Sequence, residues 1–391
     1  MILSRRNMEE HMKRLLSLLL ILAVVLSITG ETSHAGDVEN IWNNTVNYEN
    51  RGGYTDDQLV DRFFFGTMIG VSDDYLVMPM YDLQNNVSAY IIQYYSEGAP
   101  CSYVVINTRI DAEDAYYIEF GEGDFAGVVG LDKVEQAEGT IRVCYCGGSQ
   151  YYLLIGDDLY HYDGELKILN SDTVEELAER SRGIYYNYGE TLTYAAVLEK
   201  DVGYDSVSSY PRSTLFTKRT LTTTKYAYGS NNPVSNHCAP TAGLNLLQYL
   251  YSVEGKTNIP MSSWQSVFIA LHTAMGTSNT SGTADSALAP AYQSVLRSYG
   301  YNSATATIQY SASWLQITSA INSNAVHLAL CSSEIYGEHS VVGLGYVSFT
   351  HSTGWVSKYY KIVDGWTADI RYVHSSLGIA SINLVTVYVG S

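Results

Sequence analysis

Basic residues are scarce in this sequence. Its 391 residues hold 22 Lys plus Arg against 40 Asp plus Glu, a formal net charge of −18. A surface so short of cations lacks the electrostatic footprint that nucleic acid requires, so no nucleic-acid partner is expected. Cysteine is also sparse, with five residues at 101, 144, 146, 238 and 331. That density excludes a disulfide-stapled scaffold, and the odd number leaves one thiol free or paired with another chain. Cys144 and Cys146 are expected on opposite faces of one strand and unable to bridge. Metal-site spacing is missing too: Cys238, His237 and His339 could be weighed as zinc ligands, but no fourth ligand accompanies them. Neither a metal nor an organic cofactor is expected. Internal repeats and low-complexity tracts are absent. No long hydrophobic span is present either, because the apolar run Leu15 to Ile28 covers 14 residues, where a transmembrane helix needs about 20.

That run is flanked as an export signal is. Arg5, Arg6, Lys13 and Arg14 precede it, and Ser33-His34-Ala35 supplies a small-x-small cleavage pattern. Residues 1–35 are therefore read as a signal peptide cut after Ala35, with an uncleaved anchor as the alternative. The mature chain is expected to be secreted, soluble and free of the membrane. About 355 residues remain, which suggests two domains. Charge divides them. Residues 36–217 carry 10 basic against 31 acidic residues, a formal −21, whereas 218–391 carry 8 against 6, a formal +2.

The acidic half predicts an α+β unit at 36–201. Tyr54–Gly66 has a capping-box pattern and helical spacing. Short alternating runs follow at 75–81, 87–94, 103–107 and 116–120, then 142–146, 151–155, 159–162 and 166–169, as expected for an antiparallel meander. Thr173–Arg182 reads as a helix capped by Asp172. Residues 202–224 are rich in Ser and Thr, are interrupted by Pro211 and contain the basic pair Lys218-Arg219. They are read as a linker.

The second half, 225–391, opens with a polar loop and predicts a helix over 239–251, with Pro240 where a missing N–H costs nothing. Ala242, Leu246, Tyr249 and Leu250 would form its apolar stripe. Another helix is expected at 314–322. Strands are expected at 326–331, 340–349, 355–364 and 381–389, an order of helices then strands that suggests α+β with segregated layers.

Three residues in this half carry chemistry. Cys238 lies just before a helix, where peptide dipoles and unpaired N–H groups favour a thiolate. His339 starts the strand His-Ser-Val-Val-Gly-Leu-Gly-Tyr, and Asp364 closes the next one in Val-Asp-Gly-Trp. Antiparallel pairing of those strands would bring His339 and Asp364 to one sheet edge, as a base and its orienter require. Each residue has a plainer reading: a buried structural cysteine, a partly exposed histidine, an Asp-Gly turn.

Together, Cys238-Ala-Pro-Thr-Ala-Gly, His339-Ser-Val-Val-Gly-Leu-Gly-Tyr and Val363-Asp-Gly-Trp resemble the papain-like cysteine peptidases. The likeness, over 225–391, is to the bacteriocin-leader (double-glycine) peptidase-like branch and to streptopain-like secreted peptidases. It implies a papain-like domain with a Cys238 nucleophile, a His339 base, Asp364 behind it, and a peptide or protein substrate. Such enzymes usually carry a Gln six residues before the nucleophile as an oxyanion donor. Asn232 stands there instead, with Asn231 beside it, and offers the same amide on a shorter arm. Met80–Tyr90, Tyr103–Asn107 and Tyr117–Phe120 look like the propeptide of streptopain-like peptidases. This implies a zymogen inhibited by its own residues 36–201 and activated by a cut in the strap formed by 202–224; the alternative is that both halves stay together, with the first binding a cell wall or host ligand. Rival expectations are a catalytically idle papain-fold binding module and an acyl or amide transferase on the same triad.

Overall fold

The computed structural model describes residues 74–85, 87–107, 117–134, 140–146, 151–162, 165–178, 204–211, 216–227, 236–331, 338–351, 356–375 and 379–390. The expected signal peptide, the expected helix at 54–66, and Asn231 and Asn232 lie outside them. The fold is mixed α+β, as composition and patterning indicated, with a large and mostly antiparallel sheet.

The first half contributes β1 (Asp74–Tyr81), β2 (Val87–Ser96), β3 (Ala99–Asn107), β4 (Tyr117–Glu122), the short α1 (Phe125–Val129), β5 (Ile141–Tyr145), β6 (Tyr151–Ile155), β7 (Asp158–Tyr162) and β8 (Leu166–Ile168). A second helix, α2, covers 171–178. Its cap is Asn170, whose side-chain oxygen accepts the Thr173 N–H at 2.9 Å, and not the expected Asp172. Cys144 and Cys146 also depart from expectation. Residues two apart on a strand share a face, and both thiols enter one apolar cluster with Tyr152, Leu159 and Leu177.

The described parts of 202–224 are built into the fold and not an open linker: β9 (Tyr204–Pro211) pairs with a later strand, and α3 (Leu221–Ala227) begins within the stretch. The remaining elements are α4 (Cys238–Ser252), α5 (Trp264–Ala274), α6 (Asp285–Ser298), β10 (Thr305–Gln309), α7 (Trp314–Ser323), β11 (Ala325–Cys331), β12 (Glu338–His351), β13 (Val356–Val363), β14 (Arg371–His374) and β15 (Ser381–Tyr388).

One hydrogen-bonded sheet runs β10-β15-β11-β12-β13-β14-β4-β3-β2-β1-β5-β6-β7-β8. The long β12 outlasts β11, and β9 takes over the vacated edge, pairing from Gly345↔Pro211 to His351↔Tyr204. The two halves of the chain therefore meet twice within the sheet, at β9–β12 and at β4–β14. The β4–β14 seam is aromatic: Phe120 stacks on Tyr372 at 4.4 Å and packs against Tyr359 at 5.2 Å. Such pairs add to the burial of apolar area.

Helix α4 is buried along nearly its whole length, every residue from Ala239 to Leu250, so it is a central helix and not the one-sided helix its stripe suggested. Gly243 permits this, because a Cβ there would sit 3.1 Å from Met275 Cε on the following helix pair. Ala329 and Val342 pack with α4 on one face of the sheet. Leu330, Val341 and Trp366 pack with Ile317 and Ile321 of α7 on the other. No helix among the described residues is long and apolar enough to cross a membrane.

Candidate active site

Cys238 is the first residue of α4. Asn236, with φ +57, turns the chain into it, and His237 occupies the cap position. The turn is tied down from outside the helix: His237 Nε2 donates to the Leu221 carbonyl at 2.9 Å, and the Thr224 and Thr241 hydroxyls share a 2.8 Å bond. The segment expected as a linker thus buttresses the start of α4, where Cys238 sits.

The helix start alone predicts an easily ionised thiol, but the surroundings decide otherwise. Burial pushes the Cys238 thiol up, and the polar groups of Ser340, Ala239 and Cys238 itself oppose that shift without overcoming it. Desolvation wins, as it does for thiols in apolar settings. The thiol form of Cys238 is thereby favoured over the thiolate.

His339 is the second residue of β12 and lies opposite Leu330 of β11. Its Nε2 is 2.8 Å from the Asp364 main-chain oxygen. A carbonyl only accepts, so Nε2 carries the proton, and in the neutral ring the lone pair is on Nδ1. The ring stacks on Trp366, centroids 4.5 Å apart and planes 23° from parallel, which screens the Nε2–H bond from water. Pleat alternation sends Ser340 toward α4 and His339 toward the Trp366 face. Because both sit at the strand's end, His339, Ser340 and Cys238 still line one cavity of about 360 Å³, with Asn236, Glu338 and Cys331 on its rim.

Asp364 follows the last residue of β13 and shares a sheet edge with His339, as antiparallel pairing predicted. Its role differs from the expected one. The contact to the imidazole comes from its main chain, while its carboxylate is committed elsewhere. Oδ1 accepts the N–H groups of Trp366 at 3.0 Å and Thr367 at 3.4 Å, and Oδ2 meets Arg371 Nη1 at 2.5 Å. The carboxylate folds the turn that aims the carbonyl. Gly365 makes that turn possible with φ +79, its Cα facing Thr241 on α4. The main chain closes it further, as Leu221 N–H donates to the Gly365 oxygen at 2.7 Å.

Sequence reasoning quoted Ser340 and Trp366 inside its motifs without giving them work, and it missed Arg371, Glu119 and Leu221. Arg371 could have been flagged, since a lone arginine entering an apolar strand needs a buried carboxylate. Glu119 is 252 residues away in sequence, and nothing local announces it. A second and larger cavity, about 990 Å³, is lined by Trp366 with Tyr162, Trp264 and Asp369. Among the described residues, no three His, Cys, Asp or Glu side chains are grouped to hold a metal ion.

Comparison with known protein families gives no match for this sequence, and comparison with curated proteins gives none either.

Proposed function

We propose that this chain is a secreted cysteine peptidase of papain-like fold, exported by the signal at 1–35, which cleaves peptide bonds through a Cys238 thioester. The observation that carries the reading is one cavity wall that holds a thiol at a helix start and a histidine whose tautomer is set by a carbonyl. The reaction runs from the protonated resting thiol. Cys238 attacks the scissile carbonyl as its proton passes to His339 Nδ1, and the carbonyl oxygen becomes an oxyanion. The Cys238 N–H, with Asn232 as the assigned amide partner, stabilises that charge. His339 then protonates the leaving amine and the C–N bond breaks, leaving the acyl group on sulfur. His339 next deprotonates a water, which releases the acid and restores the thiol. Asp364 holds the imidazole through its main-chain oxygen.

One observation favours a second reading, an idle papain-fold module that binds peptides. The Cys238 thiol is pushed up by burial and is touched by Ser340, which would suit a structural cysteine. A thiol-reactive peptide inhibitor separates the two. In a peptidase it labels Cys238 far faster than iodoacetamide does, and His339→Ala abolishes the advantage. Asn232→Ala then lowers turnover by ~10²–10³ while Cys238 remains alkylable. Equal, slow labelling by both reagents with no effect of His339→Ala would leave only the binding module.

A further inference from the structure

We infer that Glu119, from the acidic half, is a positioning residue for the Cys238–His339 site, an inference that rests on the peptidase reading above. Glu119 lies on β4, opposite Val373 of β14. Its carboxylate is fully buried, as is the Arg371 side chain at 1 % exposure. The guanidinium uses its fork on Glu119, with Nε to Oε1 at 3.0 Å and Nη2 to Oε2 at 2.6 Å. Its remaining arm, Nη1, holds Asp364 Oδ2 at 2.5 Å. Tyr103, on β3, donates its hydroxyl to Glu119 Oε1 at 2.6 Å and so fixes the carboxylate from behind.

The consequence for His339 is mechanical. A bidentate pair fixes a guanidinium in plane and in direction, as one bond cannot. With the fork seated on Glu119, the third arm presents one geometry to Asp364, and Asp364 thereby holds the turn whose carbonyl sets the His339 tautomer. A second route runs through the rings: the Arg371 guanidinium lies 5.8 Å from the Trp366 centroid, and Trp366 stacks on His339. Two carboxyl groups, Glu119 and Asp364, thus share the one guanidinium.

The test uses the full chain. Glu119→Gln keeps the shape and removes the charge, and kcat for a fluorogenic peptide should fall by roughly 10²-fold, the scale of a small misplacement near the reacting atoms. KM should stay close to the parent value, because Glu119 touches neither cavity wall. Glu119→Asp restores the charge and should recover part of kcat. Tyr103→Phe removes only the donor behind the carboxylate and should give a smaller loss of the same kind. It stands in if Glu119→Gln does not fold. Unchanged kcat in folded Glu119→Gln and Tyr103→Phe, or a rise in KM with kcat intact, overturns the inference. If the parent chain hydrolyses no peptide, the peptidase reading fails by itself. Positioning is then read from the rate at which iodoacetamide alkylates Cys238, and it fails if neither variant changes the part of that rate that His339→Ala removes.

Discussion

Replacing Arg371 by Met removes the buried cation at one end of the β4–β14 seam while nearly preserving side-chain length. Three charge-assisted hydrogen bonds disappear, at 3.0, 2.6 and 2.5 Å. Valued separately at ~1.5–3 kcal/mol each they would sum to more than the real loss, because the carboxylates relax together. Breaking a buried pair from one side costs about 3–5 kcal/mol. Here two buried carboxylates are stranded, so the loss should sit near the top of that range, about 5 kcal/mol. Urea unfolding followed by intrinsic fluorescence measures it through the midpoint and the slope. Lys133→Met is the control. Its partner Asp132 and Lys133 itself are 30 % and 54 % exposed, and an exposed pair contributes less than about 1 kcal/mol. Replacing Glu119, Asp364 and Arg371 together by Gln, Asn and Met should regain much of the stability, since removing a whole buried charge cluster is often neutral. A loss below about 1 kcal/mol in Arg371→Met, comparable to the control, would refute the picture of a dry, interlocked cluster.

Asp369 lines the larger cavity, and its carboxyl is pushed up to about 6, first by burial and then by the nearby Asp364 charge. A folded-state value raised above the unfolded one favours folding at low pH, and that contribution is lost as pH rises from about 4 through 6. Asp369→Asn should therefore be more stable than the parent at pH 7 and no more stable at pH 3.5. An advantage that persists unchanged at pH 3.5 would sink the argument. Arg219, in the strap, should resist trypsin in the native chain: its N–H and carbonyl are both held by Asn245, at 2.7 and 2.9 Å, and its guanidinium lies 4.4 Å from the Trp264 ring centroid. Cleavage after Arg219 as fast as in heat-unfolded protein, read by mass spectrometry, would show that the strap is open.

Most elements were legible from composition and punctuation. The strands at 74–81, 87–96 and 151–155 are short runs rich in Val, Ile, Leu and Tyr set between turn residues, and the helix at 238–252 announces itself by its polar approach, early proline and apolar run. The misses share a cause. β14 is four residues long, and β9 reads as Ser-rich loop because its partner, the overhang of β12, exists only in the folded sheet. Tertiary pairing overrides local propensity there. The site divides in the same way. Cys238, His339 and Asp364 stand at element ends, and pairing logic alone brings the last two to one edge. What sequence could not show is orientation. Whether Asp364 faces the imidazole with its carboxylate or its carbonyl depends on Arg371, and Arg371's direction depends on a glutamate from the other half of the chain. The Cys238 thiol failed for a related reason, since the dipole at a helix start is local but desolvation is set by everything packed around it.

The acidic half can be weighed again on these contacts. Its charge, the basic pair Lys218-Arg219 and its likeness to a propeptide suggested a detachable inhibitor docked mainly by apolar contact, since surface charge is screened within about 8–10 Å, and what joins the halves is largely of that apolar kind. Strand pairing at β4–β14 and β9–β12 needs every ladder bond it makes, the Phe120–Tyr372 stack is apolar, and the Glu119–Arg371 pair is dry. The strap adds Leu221 N–H to the Gly365 carbonyl and the Leu221 carbonyl to His237, so it joins the helix that begins with Cys238 to the turn whose carbonyl meets His339. Excision of everything before residue 220 would expose the edges of β12 and β14 and strand Arg371 on Asp364 alone. Under the proposed function, a cut that removed the acidic half would therefore disorganise the site and not uncover it. An acidic composition in one half and an apolar, interlocked seam are compatible: under the proposed function the charge favours solubility of the exported chain, and the buried face completes the site.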